Sequence, residues 1–461
     1  MKPEESLTAI PAGPDGLAGP DGAAGVRENE GAVPPAGTSQ KGRGASKSRA
    51  LAQSFSAFRH RNFTIFWIGA IASNTGGWIS NLTVPYILFS LTGSAVWVAL
   101  ATVAQMGPAV FLGPWGGYVA DRFDRKRVLL TTQSIMAAVG AAMWLVWAGG
   151  VHNEYVLLGL VCLMGIANGI NMPSWQAFVN DLVPRDDLPS AIALNSLQFN
   201  AARSLGPAIA GVLLAAFGAS WAFFLNTLSF TCVIVALAMV KPLHRSGTLG
   251  TEAGIFRQFG QACTYVTRQR GILIAIILSM LVGLLGHPLY QLTVVFADSV
   301  FRVGPTELGL MNAALGIGAV LAAPFVVGWS RKMHRSSLVF WGMLSYGLAM
   351  VGFGVTEHYV LGLVFLLAVG ACFLAVFTGI NTAIQMIVAE GLRGRVFAIR
   401  HMLFMAAMPA GALLQGFVAD RWGVQLSVVL AGTALCVAAL AIRLLLRANG
   451  FSRLDDPQDI G

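Results

Sequence analysis

Long apolar runs, separated by short charged or turn-rich segments, dominate the sequence after about residue 60. A helix of about 20 apolar residues is long enough to cross the hydrocarbon core of a bilayer. The pattern therefore predicts an all-α membrane protein with twelve transmembrane helices. The runs lie near 63–91, 95–118, 128–149, 154–178, 188–216, 219–240, 271–297, 305–328, 336–355, 359–388, 393–418 and 424–446.

The composition supports a lipid environment. Hydrophobic residues make up 56% of the 461 residues and charged residues only 11%, whereas a soluble domain carries about 25% charged residues. A water-soluble protein this apolar would expose large hydrophobic patches. The sequence has no metal-ligand spacing, phosphate-binding loop or nucleophile motif, so we expect no enzymatic activity, no cofactor and no bound metal.

The basic residues are distributed asymmetrically between the two sides of the predicted membrane. Of the 30 Lys and Arg residues, 26 lie in the two termini and in alternate loops, and only two lie in the other loops. Basic residues are enriched on the cytoplasmic side, which predicts a cytoplasmic location for both termini. Because the net charge of +9 is spread over these loops instead of forming one patch, nucleic acid is not an expected partner.

The longest internal hydrophilic stretch divides the predicted helices into two sets of six. The two halves resemble each other weakly: Gly169-Ile170-Asn171 matches Gly379-Ile380-Asn381, and Pro207 matches Pro409. Parallel repeats of this kind are typical of a transporter that binds its substrate between the halves. The expected organisation, in a monomer, is a disordered tail (1–52), a six-helix bundle (53–240), a linker (241–270), a second six-helix bundle (271–448) and a tail (449–461).

The loop after the second predicted helix carries a recognisable motif, Gly117-Tyr118-Val119-Ala120-Asp121-Arg122-Phe123-Asp124-Arg125-Lys126-Arg127. It resembles the G-x-x-x-D-R-x-x-R-K signature of the major facilitator superfamily. An ordinary basic loop would account for the arginines but not for Gly117 and Asp121. The superfamily fold has two pseudo-symmetric six-helix bundles, and the resemblance implies this fold here.

The chain resembles more narrowly the bacterial enterobactin-exporter-like branch, which includes macrolide efflux pumps. The residues that carry this resemblance are Phe58-Arg59, Asn62-Phe63, Ser73-Asn74, Leu91-Thr92-Gly93-Ser94, Leu182-Val183-Pro184-Arg185, Ala193-Leu194-Asn195-Ser196 and Gly206-Pro207. The resemblance implies a proton-coupled exporter in the bacterial inner membrane. Relatives often have Gly-Asp-Trp in the first helix, where this chain has Gly76-Gly77-Trp78.

The same resemblance implies a gating charge relay at the cytoplasmic side. In the superfamily, the acidic residue of the loop signature pairs with the signature arginine and with an acidic residue that ends the fourth helix, and it touches the start of the eleventh helix. The corresponding residues here are Asp121, Arg125 and Asp181, with Gly117 and Arg122 in the same signature and Glu390 after the tenth helix.

Polar residues inside the predicted helices should point toward a cavity or toward another helix, because they are costly in lipid. Arg203 lies near the midplane, where a cavity-facing role toward an anionic or catecholate-like substrate is favoured over a structural ion pair. Arg400 could instead reach the cytoplasmic interface, and any single asparagine could simply link two packed helices. The candidate pathway residues are Asn74, Trp78, Asn81, Asn168, Asn171, Gln198, Arg203, His287, Gln291, Asn381, Gln385 and Arg400.

These observations predict a secondary active transporter that exports a small molecule, a siderophore or an amphipathic drug, by alternating access. Protons are the expected coupling ion. Two alternatives are an importer or facilitator of the same fold and a non-transporting membrane receptor.

Overall fold

The computed structural model describes residues 54–243, 255–330 and 333–445. The predicted tails, 1–52 and 449–461, and part of the predicted linker lie outside the described residues. Twelve long helical segments account for most of the described chain, which confirms the predicted fold class. They are α1 (Arg61–Thr92), α2 (Ala95–Arg122), α3 (Arg125–Ala148), α4 (Glu154–Asn180), α5 (Leu188–Phe217), α6 (Ala219–Met239), α7 (Arg270–Val300), α8 (Pro305–Ser330), α9 (Arg335–Val355), α10 (Tyr359–Ile387), α11 (Arg393–Trp422) and α12 (Val424–Leu445).

Eleven of these segments are long and apolar enough to cross a membrane. The exception is α1, whose polar residues, including Asn74, Thr75 and Asn81, lower its hydropathy. Local signals in the sequence set several helix ends. Gly93 ends α1 in a left-handed conformation with φ of 65°. Glycine is common at this position because it has no Cβ atom that would clash in that conformation. Asp124 accepts a hydrogen bond from the backbone N–H of Arg127 (3.1 Å), so α3 begins at Arg125, earlier than the apolar pattern predicts.

Two further elements shape the second half. An additional helix, Ile255–Arg268, lies between α6 and α7, and it buries Ala262 and Val266 in the core. The second element is an irregularity within α7, which contains two π-helical turns, Val282–Gly286 and Phe296–Val300. Turns of this type are frequent at functional sites.

Helix packing corrects the register of the internal repeat. Gly206 of α5 packs against Trp78 of α1, and Gly411 of α11 packs in the same way against Leu284 of α7. These two glycines, and not Pro207 and Pro409, therefore occupy equivalent positions. The Gly-Ile-Asn match is also out of register, because a Cβ on Gly169 would face α2 whereas a Cβ on Gly379 would face α9.

Among the described residues, the helices of the two halves pack closely from one face of the molecule to about its middle. We call the face where α1 begins the basic face, since Arg61, Arg125 and Lys241 lie there, and we call the other end the opposite face. Near the opposite face, a Cβ on Gly416 of α11 would lie 2.9 Å from the carbonyl oxygen of Ala95 in α2. About five helical turns further along the same side of α2, a Cβ on Gly113 or Gly117 would meet no atom of another helix within 4 Å.

The seam between α5 and α8 is similarly shaped. Near the opposite face, a Cβ on Gly211 of α5 would lie 3.0 Å from the Cα of Gly309 in α8. Toward the basic face, Leu197 and Val320 lie on the same sides of these two helices and are 55% and 60% exposed. The halves are thus closed against each other at the opposite face and separated at the basic face.

Candidate functional site

Arg203 lies between the two halves. Its Cζ atom is 5.8 Å from the ring centroid of Trp78 in α1 and 5.6 Å from that of Phe373 in α10. Aromatic faces attract a guanidinium at such distances, but they do not neutralise its charge. No carboxylate of the described residues forms an ion pair with it. The structure therefore favours the cavity-facing interpretation of Arg203 over a structural ion pair.

Arg400 is the second cation of this region. It is only 5% exposed, so it does not reach the interface, and the snorkelling interpretation is wrong. Its Cζ atom lies 4.8 Å from the ring centroid of Phe377 and 5.5 Å from that of Phe397. The Nε and Nη1 atoms are buried without a hydrogen-bond partner among the described residues. Buried donors of this kind are rare and need an explanation.

A strip of aromatic rings joins the two arginines. Phe373 and Phe377 lie one turn apart on α10, and their rings stack with centroids 5.6 Å apart and an interplanar angle of 22°. Arg203 lies against the first ring and Arg400 against the second. We call these four residues the arginine–aromatic strip. Its components come from α5, α10 and α11, hence from both halves.

The irregular part of α7 forms the wall beside the strip. The ring of Tyr290 lies 6.0 Å from that of Trp78 and 6.3 Å from that of His287, and its hydroxyl group is buried without a partner among the described residues. Pro288 has no N–H, and the π turn before it leaves carbonyl groups free. Gln415 of α11 donates to two of them, those of Leu284 (3.1 Å) and Leu285 (2.9 Å).

The predicted polar residues of the first half mostly bond to one another. Asn74 donates to the side-chain oxygen of Gln198 (3.2 Å), and Gln198 donates to Asn195 (3.2 Å). Asn171 accepts from the Thr132 hydroxyl (2.9 Å) and from the Gln133 amide (3.2 Å) of α3. The surroundings of Asn171 favour the alternative in which an asparagine links two packed helices.

The other predicted polar residues are more dispersed. Asn81 and Gln291 line one small cavity between α1, α2 and α7, away from the strip. Asn381 has a buried side-chain oxygen without a partner among the described residues. It lies one turn beyond Phe377 on α10, whereas Gln385 is exposed and Asn168 is half-buried.

Three residues of the predicted relay come together at the basic face. Arg125 Nη1 donates to both carboxylate oxygens of Asp181, at 3.0 and 3.2 Å, and Asp181 is buried. Asp121 lies 3.9 Å from Arg125 Nη2, with its side chain 72% exposed. Arg122 bonds to the Tyr118 hydroxyl instead. Glu390 lies on a short 3₁₀ turn after α10.

Sequence reasoning missed the phenylalanines of the strip. A signal was available, since Phe373, Phe377, Asn381 and Gln385 recur every fourth residue and so share one side of α10. Of these four residues, only Asn381 and Gln385 were predicted as part of the pathway.

The chemistry of the strip suits an anion with planar or apolar parts. The acidic residues of the long helices lie at their ends, so the central region carries two arginines and no carboxylate. Guanidinium groups bind carboxylates and similar anions through paired hydrogen bonds and also stack on flat rings. No group of three or more His, Cys, Asp or Glu side chains in the described part of the chain could hold a metal ion.

Comparison with known proteins identifies relatives along most of the chain. A family model described as transmembrane secretion effector matches residues 52–455. The chain is 24% identical over 365 residues to a staphyloferrin A transporter of Staphylococcus aureus, covering 78% of this chain and 91% of that protein. It is 20% identical over 397 residues to a macrolide efflux protein A of Streptococcus pyogenes, covering 85% and 97%.

Solved structures with the same fold include distant transporters. A bacterial homologue of the human lysosomal transporter Spinster, in an inward-facing and unoccupied conformation, aligns with a TM-score of 0.70 at 13% identity, over 86% of this chain and 99% of that one. A D-xylose–proton symporter aligns with a TM-score of 0.63 at 17% identity, over 82% and 97%. At these identities the similarity establishes the fold alone.

Proposed function

Because the chain belongs to the transmembrane secretion effector family of major facilitator transporters, we propose that it exports an anionic small molecule by alternating access. The proposed substrate has planar or amphipathic parts and belongs to the class of siderophores and amphipathic drugs. Two relatives, a staphyloferrin A transporter and a macrolide efflux protein, support this class. The proposed location is the bacterial inner membrane, with the basic face toward the cytoplasm.

The observation that carries the proposal is a pair of arginines between the halves, Arg203 half-buried and Arg400 buried, with no carboxylate partner among the described residues. An uncompensated charge inside a membrane protein is costly, and such residues usually serve a functional pathway. Arg203 and Arg400 are held by aromatic rings that keep their donors free. An anionic group of the substrate would supply the missing partner, while Phe373 and Phe377 would contact its planar parts.

The separation of the halves at the basic face gives the proposed route of entry. The substrate would enter between the exposed stretches of α5 and α8 and reach the strip, while the packing of Gly211 against Gly309 closes the way to the opposite face. After the halves rock, the opposite face would open and release the substrate. We assign the stabilisation of the closed form of the basic face to Asp121, Arg125 and Asp181, with Gly117 and Arg122 of the same loop signature and Glu390 after α10.

Proton coupling is part of the proposal, with His287 as the proposed proton carrier. His287 lies beside the strip, where the neighbouring Arg203 disfavours the protonated imidazole and an anionic substrate would favour it. The groups that face it are Arg203 of α5, Tyr290 of α7 and the Phe404 ring of α11. In the test, proteoliposomes with His287→Asn should retain downhill flux but lose substrate-driven proton movement. Unchanged proton movement would exclude His287 as the carrier.

The main test is transport into everted membrane vesicles. Vesicles would be offered anionic probes (citrate and 2,3-dihydroxybenzoate), a neutral macrolide and a cationic dye. We expect gradient-dependent accumulation of at least one anionic probe, which Arg203→Gln abolishes. The matched control is Arg443→Gln, since Arg443 also lies against two aromatic rings but is exposed on α12. Uptake in the reverse direction would indicate an importer, and binding without flux a receptor.

A further inference from the structure

The end of α2 and the end of α11 carry nearly the same sequence. The loop signature begins Gly117-Tyr118-Val119-Ala120-Asp121-Arg122-Phe123, and α11 ends Gly416-Phe417-Val418-Ala419-Asp420-Arg421-Trp422. Five of the seven residues are identical and the other two are aromatic in both. The likeness does not come from the internal repeat, because the counterpart of α11 is α5. Since α2 and α11 are antiparallel neighbours, the two copies lie at opposite faces of the molecule.

Asp420 bonds across the two halves of the protein. One carboxylate oxygen accepts from the backbone N–H of Ala95 (2.5 Å), and the other accepts from the Ser94 hydroxyl (2.5 Å) and from the backbone N–H of Val96 (3.2 Å). All three donors belong to the first turn of α2 or to the residue before it. A carboxylate at this position satisfies donors that the helix leaves free and interacts favourably with its dipole.

The cap on α2 is thus provided by the other half of the protein. Ser94 is the N-cap residue of α2 and has the extended backbone typical of a cap, yet its own side chain caps nothing. Its hydroxyl donates to Asp420 instead. The contact of Gly416 with Ala95 and Ala99 brings the two helices close enough for this arrangement.

Asp121, at the equivalent place in the other copy of the sequence, has no such role in this conformation. Its side chain is largely exposed, and its ion pair with Arg125 is long. The helix that it would cap is α11, whose N-cap residue, Leu392, makes no side-chain cap bond. Gly117 and Gly113 face open space on the side of α2 that would approach α11.

We propose that Asp420 is a gating residue that holds the opposite face closed by capping α2 from the other half. The two copies of the sequence then act in alternation. Asp420 caps α2 when the opposite face is closed, and Asp121 approaches the start of α11 when the basic face is closed. The part assigned to Asp121 follows the family expectation, and the part assigned to Asp420 is new.

The test measures distances between the halves and needs no substrate, so it can fail or succeed independently of the proposed function. Spin labels would be attached in the cysteine-free full-length protein at Val151 and Val360, which are exposed near the opposite face, and in a second sample at Asp186 and Gly394 near the basic face. Pulsed electron paramagnetic resonance then gives the populations of the closed and separated states at each face.

Asp420→Ala should raise the ratio of separated to closed molecules at the opposite face about tenfold, a shift of about 1.4 kcal/mol. Asp420→Asn should have a smaller effect, because an asparagine oxygen also caps helices well. The matched control is Glu357→Gln, which removes an exposed carboxylate from the second half and should change nothing. A folded Asp420→Ala protein with the wild-type distance distribution would overturn the proposal.

Two further comparisons keep the proposal testable. If Asp420→Ala does not fold, Asp420→Asn is compared with Glu357→Gln: a larger separated population supports the gating role, and identical distributions refute it. Asp121→Ala should shift the populations in the other direction, with more molecules open at the basic face. A shift in the same direction as that of Asp420→Ala would disprove the alternation.

Discussion

Each half contains an asparagine preceded by Gly-Ile, but among the described residues only the asparagine of the first half has hydrogen-bond donors for its side-chain oxygen. Asn171 follows Gly169-Ile170 in α4, and its side-chain oxygen accepts two hydrogen bonds from α3. Asn381 follows Gly379-Ile380 in α10, and its side-chain oxygen is buried without a partner among the described residues. The cause is the register of the repeat, which places the matching tripeptides on different sides of their helices.

A similar contrast holds for some polar residues along the proposed pathway, although buried polar atoms without partners among the described residues also occur in the first half, at Thr102, Gln133 and Asn226. In the first half, Asn74, Gln198 and Asn195 bond to one another. In the second half, Arg400 and Tyr290 have buried polar atoms without partners in the described part of the chain. A satisfied network makes a core rigid, whereas unsatisfied groups are costly unless a ligand completes them. We propose that the first half is mainly scaffold and that the second half, with Phe373, Phe377 and Arg400, contributes most of the binding groups.

The largest expected effect tests the role of Arg400. Because its charge is buried and unpartnered, Arg400→Leu should reduce transport of an anionic probe about 100-fold, the loss expected for charge-assisted hydrogen bonds of about 1.5–3 kcal/mol. The same change should raise the thermal unfolding temperature in detergent, since an unpaired buried charge is removed. A variant that is both active and less stable would show that Arg400 is structural.

The two asparagines provide a matched pair of variants. Asn171→Ala removes the acceptor of the buried Gln133 amide, while the Thr132 hydroxyl keeps the Val128 carbonyl (3.0 Å) as its acceptor. The variant should destabilise the protein by about 1 kcal/mol, within the range measured for hydrogen bonds between membrane helices. Asn381→Ala should leave stability nearly unchanged and reduce the transport rate. Thermal unfolding and flux of both variants check this. If Asn171→Ala reduced only transport and Asn381→Ala reduced only stability, the comparison between the halves would be contradicted.

A smaller effect on transport is expected for Gln198, which links α1 to α5. Gln198→Leu removes its bonds to Asn74 and Asn195 and should destabilise the protein by about 1 kcal/mol, since each such bond averages about 0.6 kcal/mol. Transport should continue at nearly the wild-type rate per folded molecule. A loss of transport without a loss of stability would show that Gln198 belongs to the transport pathway and is not only structural.

The smallest effect concerns the aromatic support of Arg400. Phe377→Leu keeps most of the apolar volume but removes the ring beneath the guanidinium, whose interaction is worth about 0.5–1 kcal/mol. We expect a threefold to fivefold increase in KM for an anionic probe with kcat nearly unchanged. Leu366→Met, a fully buried change elsewhere on α10, serves as the control for packing.

The sequence was sufficient to predict the fold because length and hydropathy alone determine which segments can cross a bilayer. The start of α3 differed from the prediction, since the Asp124 cap depends on a side-chain bond and not on apolar spacing. Arg203 and Arg400 could be identified as unusual because a charge within an apolar run is visible in the sequence. The aromatic surroundings of the two arginines could not be predicted, because Phe373 and Phe377 resemble ordinary lipid-facing residues until the rotation of α10 is known.

The two fixed positive charges in the middle of the protein also have an electrical consequence. Under the proposed direction, a substrate with one negative charge leaves a cell whose interior is negative, and a proton enters in exchange. Both movements follow the membrane potential, which contributes about 2.3 kcal/mol per charge for every 100 mV. Arg203 and Arg400 remain with the protein, so they do not cancel this charge movement. The transport cycle should therefore generate a current, and its rate should increase with the membrane voltage.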